Sequence, residues 1–129
     1  MQIIANTPHY TLAFEPSKNR VHWTPRGFWD KTVDKSELLD NWKKILHDVS
    51  AGFTILTDAT QMKTLRPEWV ETFKEIQTLM VESGLAASAE VLPQNTITKM
   101  QANRVARKSG MCKQHFATSE DAERWLDSL

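Results

Sequence analysis

Three of the four glycines, Gly52, Gly84 and Gly110, each follow a helix-period stripe of apolar residues and precede a short apolar run. A chain alternating periods of 3.6 and 2 in this way is held to an α/β architecture, because parallel strands need helical crossovers between them. Ahead of the first stripe, Tyr10, Leu12 and Phe14 share one face of a period-two segment. Pro16-Ser17-Lys18-Asn19 then supplies turn formers, and Val21 and Trp23 share a face of the next segment. This pattern predicts an antiparallel hairpin.

The first helical stripe is Leu38, Leu39, Trp42, Ile45, Leu46 and Val49. Asp34 stands three residues before Glu37, the spacing of an N-cap and its reciprocal partner. Gly52 is expected at the C′ position, where glycine enters the left-handed region without steric cost. Phe53 to Thr57 reads as a strand. Pro67 suits the first turn of a second helix, whose stripe is Val70, Phe73, Ile76 and Met80 with Trp69 beside them, closed by Gly84. Leu85 to Leu92 reads as a small-residue strand stopped by Pro93. A third helix is expected from Asn95 or Thr96 to about Lys108, and Cys112 to Phe116 as a last strand. Thr118 or Ser119 caps a final helix with Ala122, Trp125, Leu126 and Leu129 on one face. The predicted order is ββαβαβαβα, with right-handed crossovers and a mixed sheet in one domain spanning 1–129.

Composition excludes several function classes. At 129 residues with 25% charged and 40% hydrophobic side chains, the chain has a core and is not low-complexity. The single cysteine, Cys112, forms no internal disulfide and fits a reducing, cytoplasmic setting. The first residues lack the features of a signal peptide, and no apolar run reaches the ~20 residues of a membrane helix, so no membrane insertion is expected. Net charge is zero, which leaves no global field toward nucleic acid. Residues 94–115 carry Lys99, Arg104, Arg107, Lys108 and Lys113 without an acid. Lacking interleaved aromatics, that stretch reads as a solvated face and not as a nucleic-acid site.

The inventory for catalysis is empty. No glycine pair has the spacing of a phosphate cradle. His9, His22, His47 and His115 fall on four different elements, without metal-ligand spacing. Cys112 and His115 are three apart on a strand and so face opposite ways. No catalytic residue, metal or cofactor is therefore expected. Two stretches invite a binding role. Phe28 and Trp29 belong to no periodic element and read either as a lid over the core or as an aromatic wall for a partner. The segment Thr57 to Thr64, with Asp58, Thr60 and Met62, leaves the carboxyl end of a central strand, where open α/β sheets place ligands. Asp58 also reads simply as a turn cap.

The element order, the strand end F-T-I-L-T-D at Phe53 to Asp58 and the closing F-A-T-S-E-D-A-E-R-W-L at Phe116 to Leu126 resemble the SpoIIAA-like proteins of the STAS class. The resemblance implies a mixed sheet of four or five strands with helices largely on one side. In the anti-sigma factor antagonists of that class, a serine directly after the strand-end aspartate is phosphorylated by a partner kinase. Here Asp58 matches the aspartate, Ala59 stands at the serine position, and Thr60 is the nearest phosphoacceptor. The likeness of this branch to CRAL-TRIO domains implies a nonpolar ligand. The expectation is a non-enzymatic regulatory or protein-interaction domain using Asp58, Thr60, Met62, Phe28 and Trp29. The alternative is a carrier or sensor of a small lipid-like molecule in a pocket between sheet and helices. A homodimer formed through an exposed helix or edge strand is a further expectation.

Overall fold

The computed structural model describes residues 1–63, 66–92 and 113–129. The strands are β1 (Gln2–Asn6), β2 (Tyr10–Glu15), β3 (Arg20–Pro25), β4 (Thr54–Asp58), β5 (Ala87–Val91) and β6 (Lys113–Phe116). The helices are α1 (Lys35–Asp48), α2 (Pro67–Glu82) and α3 (Ser119–Asp127). The fold is α/β, and all six strands join one sheet in their order along the chain. Pairings β1–β2 and β2–β3 are antiparallel; β3–β4, β4–β5 and β5–β6 are parallel.

The expected four or five strands are corrected to six by β1, which the sequence reading passed over. Its residues are exposed or half-buried and show no apolar alternation; Ile4 and Ala5, adjacent in the chain, pack partly against the core, and the rest of this edge strand is open. What fixes it is backbone pairing to β2, and that pairing shifts register between Ile3 and Ala5, a bulge that disturbs the free edge. The expected third helix at about 95–108 and Cys112 lie outside the described residues.

Helix placement follows from the handedness of the crossovers. Successive right-handed β3–α1–β4 and β4–α2–β5 units put α1 and α2 on the same face. There Leu38, Trp42, Ile45, Trp69, Ile76 and Met80 meet Tyr10, Leu12, Phe14, Val21, Trp23 and Ile55. Alternation along β4 sends Leu56 to the other face, where it joins Ala87, Ala89, Val91, Ala122 and Leu126 beneath α3. Of the three described helices, α1 and α2 share one face and α3 caps the opposite one. The small side chains Ala87 and Ala89 let it approach β5. That central strand is buried at every position, as a parallel strand covered on both faces must be.

The caps agree with the sequence in part. Asp34 accepts the Glu37 N–H at 3.1 Å, and Thr118 accepts that of Asp121 at 3.2 Å. Pro67 sits in the first turn of α2, and Gly84 follows its last residues with φ +95°. Gly52 is a correction. Helix α1 ends at Asp48 with Val49 extended, so Gly52 lies beyond it in the turn to β4, at φ +89°. Leu129 is another, being 67% exposed and past the end of α3. The two helix-to-strand turns are tied together, since the Gly52 N–H donates to the Gly84 carbonyl at 2.7 Å. Asn19, in the left-handed region at φ 51°, exchanges two hydrogen bonds of 3.0 Å with the Ser50 backbone. These bonds stitch the rim at the amino ends of β3, β4 and β5. The opposite rim carries the longer loops.

Candidate functional site

At the carboxyl ends of β3 and β4 two loops are clamped together. The Gly27 N–H donates to the Gln61 carbonyl at 2.8 Å, and the Lys63 N–H donates to the Gly27 carbonyl at 3.0 Å. This is a single parallel bridge outside the main sheet, pairing Gly27 with Met62. Gly27 adopts φ +74°, and a Cβ there would meet nothing within 4 Å. Backbone conformation, and not lack of space, is what calls for glycine at this point.

The same side-chain device recurs in both loops. Asp58 Oδ1 accepts from the Thr60 N–H at 3.1 Å and from its hydroxyl at 2.6 Å. Asp30 Oδ1 accepts from the Thr32 N–H at 2.9 Å and from its hydroxyl at 2.6 Å. An aspartate bonding its own chain two residues on mimics a backbone turn. The Thr32 hydroxyl and N–H bonds hold the Asp30 carboxyl below the ordinary carboxylate range.

The five predicted contact residues do not share one surface. Thr60 is exposed, Asp58 half-buried, and Phe28 is 48% exposed with the Arg66 guanidinium carbon 5.8 Å from its ring centroid. Met62 is buried, and Trp29 is 1% exposed. Trp29 is a core residue: its ring lies 5.1 Å from that of Trp69, and its indole N–H donates to the Arg26 carbonyl at 3.2 Å. Neither Trp29 nor Met62 is open to a partner. Of the two readings of Phe28-Trp29, the tryptophan follows the lid over the core and the phenylalanine is left outside. Ala59 is buried, with its N–H donating to the Val91 carbonyl at 2.8 Å, so a side chain at that position points away from solvent.

A second constellation escaped the sequence reading. Register places Thr57, Ser88, Glu90 and Lys113 on the face that α1 and α2 cover. Ser88 is 2% and Glu90 7% exposed, and the Lys113 ammonium lies 2.7 Å from Glu90 Oε2. Lys113 is therefore a buried ion-pair partner and not part of a solvated basic face; Lys99, Arg104, Arg107 and Lys108 lie outside the described residues. Between this polar strip and Trp23, Trp42, Ile55, Phe73, Ile76 and Met80 is a cavity of about 40 Å³. The signal was present as the alternation Ala87-Ser88-Ala89-Glu90-Val91, which puts Ser88 and Glu90 on one side, but a polar side ordinarily reads as solvent-facing and here two helices cover it.

The histidines are dispersed. His22 Nε2 lies 2.9 Å from Glu15 Oε1, holding the Glu15 carboxyl below its ordinary range, while His9 meets the Trp29 ring edge-on. Among the described residues no group of three or more His, Cys, Asp or Glu is placed to hold a metal ion. No helix among them is long and apolar enough to cross a membrane. Comparisons of the chain with family models, curated proteins and solved structures found no match.

Proposed function

We propose that the protein is a non-enzymatic interaction domain of regulatory type, which engages a protein partner through the rim formed by Phe28 and the Asp58–Lys63 loop. The observation that carries this reading is the exposure of Phe28 beside a loop that backbone bonds hold in one shape. Aromatic side chains are enriched at protein interfaces, and a rigid setting reduces the entropy lost on binding. Arg66 over the ring adds a residue type common at interface hot spots. Thr60, exposed on the same loop, is the residue through which phosphorylation would change that surface. The resemblance to SpoIIAA-like proteins points the same way.

The test is site-specific photocrosslinking in the native cell, with the reactive side chain at Phe28, at Thr60 and, as control, at Lys44 on α1. One discrete adduct from the first two positions and none from the third supports the reading. No adduct at Phe28, or the same adducts at all three positions, removes it. The carrier reading draws on the aromatic and Met80 wall of the cavity between sheet and helices. Its space of about 40 Å³ is well below the roughly 150 Å³ of an apolar cavity that admits benzene. We therefore prefer the interaction reading.

A further inference from the structure

We infer that the cavity between the sheet and helices α1 and α2 is an internal hydration site, holding ordered water between the Trp42 indole and the polar strip of β4, β5 and β6. The inference does not depend on the proposed interaction role. Three observations carry it.

The first is demand. Trp42 lines the cavity and is fully buried, and its indole N–H finds no acceptor among the described residues. Tryptophan is a donor only, so this group needs an acceptor. Buried donors are paired with protein or with water in the great majority of structures.

The second is supply. The wall facing α1 and α2 offers the hydroxyls of Thr57 and Ser88 and the carboxylate of Glu90. A carboxylate has about four acceptor positions, so the Lys113 ammonium at 2.7 Å leaves capacity for further donors. A bound water needs about two to four polar partners, and this lining has that many.

The third is size. The volume of about 40 Å³ exceeds the roughly 10–15 Å³ that one water requires, and an apolar molecule of benzene size does not fit. A purely apolar lining would keep such a space dry. Here one wall is largely apolar, with Gln77 of α2 its polar member, and the other is polar and includes an ion pair whose burial a water would ease. The occupant is therefore one or two waters, not a lipid-like molecule.

The test uses the full chain in solution. Water–protein NOE and ROE spectra are recorded at the Trp42 indole N–H, identified by the resonance that Trp42→Phe removes. The expected result is a cross-peak with the sign of long-lived internal water. It should be lost in Ser88→Val, which takes away one hydroxyl and fills space with methyl groups, and Thr57→Val serves if that variant does not fold. A crystal structure should place a solvent peak about 2.7–3.2 Å from Trp42 Nε1. A wild-type indole proton that is protected from exchange yet shows no water cross-peak overturns the inference. So does a side-chain acceptor found on Trp42 Nε1 in the crystal.

Discussion

Arg20 Nη1 lies 2.9 Å from Asp127 Oδ1, joining a nearly buried strand residue to the last turn of α3. The Arg20 Nε–H also donates to Thr54 Oγ1 at 3.0 Å, and Lys18 reaches both Asp127 and Glu123 from the outer side. Arg20→Met should keep the stem's packing and lose the polar contacts, costing about 1–3 kcal/mol. Urea unfolding measures it; an unchanged midpoint would show that the contacts contribute nothing.

The same pair sets an acid response. The Arg20 guanidinium beside Asp127, with Lys18, holds that carboxyl below its ordinary value. Its charged form is favoured in the folded chain, so its contribution is full above the ordinary carboxylate range. It is lost as pH falls through the lowered value. Below about pH 4, α3 should therefore exchange its amide protons faster than α1 does. Asp127→Asn should flatten the difference, which hydrogen exchange by NMR would report.

Phe28 and Trp29 are adjacent and should answer oppositely to truncation. Trp29→Ala opens a hole among Tyr10, Trp23, Trp69 and Phe73 and should cost about 3–5 kcal/mol. Phe28→Ser should stay within about 0.5 kcal/mol while abolishing the adduct formed from the reactive side chain at Thr60. Thermal melts of both variants separate a folding role from a contact role.

The Asp58–Thr60 turn should be switchable. Thr60→Val removes the 2.6 Å hydroxyl bond and should cost about 0.5–1 kcal/mol. Phosphate at Thr60 would turn a donor into an anion beside Asp58 and open the turn. Incubation with native lysate and ATP, then phosphopeptide mapping, tests whether a kinase uses it; label confined to other residues would refute the switch.

Glu90 and Lys113 are worth less as a pair than either is on removal. Glu90→Ala alone leaves a buried ammonium and should cost about 3–5 kcal/mol, whereas Glu90→Leu with Lys113→Met should be neutral or stabilising. Chemical denaturation of the single and double variants decides this. A double variant as unstable as the single one would contradict it.

How legible the chain was depended on whether a position has one buried side. Strands β2 and β3, each with a dry face and a wetter one, announced themselves as Tyr10-Leu12-Phe14 and Val21-Trp23. The stripe of α1 and its Asp34 cap were equally plain. Edge strand β1, only half-covered at Ile4 and Ala5, gave no period to read, while β5 alternates but buries its polar side as well, so the burial of Glu90 was not legible. On α2 the buried set turns toward Trp69, Thr72, Ile76 and Met80, leaving Val70 and Phe73 half-covered. The strand-end position of Asp58 was legible because a β-to-α transition surrounds it. Whether Phe28 or Trp29 faced solvent was not, since neighbours in an irregular loop carry no periodic sign.

The two rims of the sheet differ in what they tolerate. At Gly84, with φ +95°, an added Cβ would come within 2.9 Å of Ala51 Cα, so each turn there is moulded on the next. A peptide grafted into that rim would have to break the bonds between turns, and one grafted at Gln61–Lys63 would break the bridge to Gly27, whereas a side-chain replacement at Phe28 or Thr60 leaves both backbone clamps in place. Any new recognition surface engineered onto this scaffold therefore belongs on the Phe28 side.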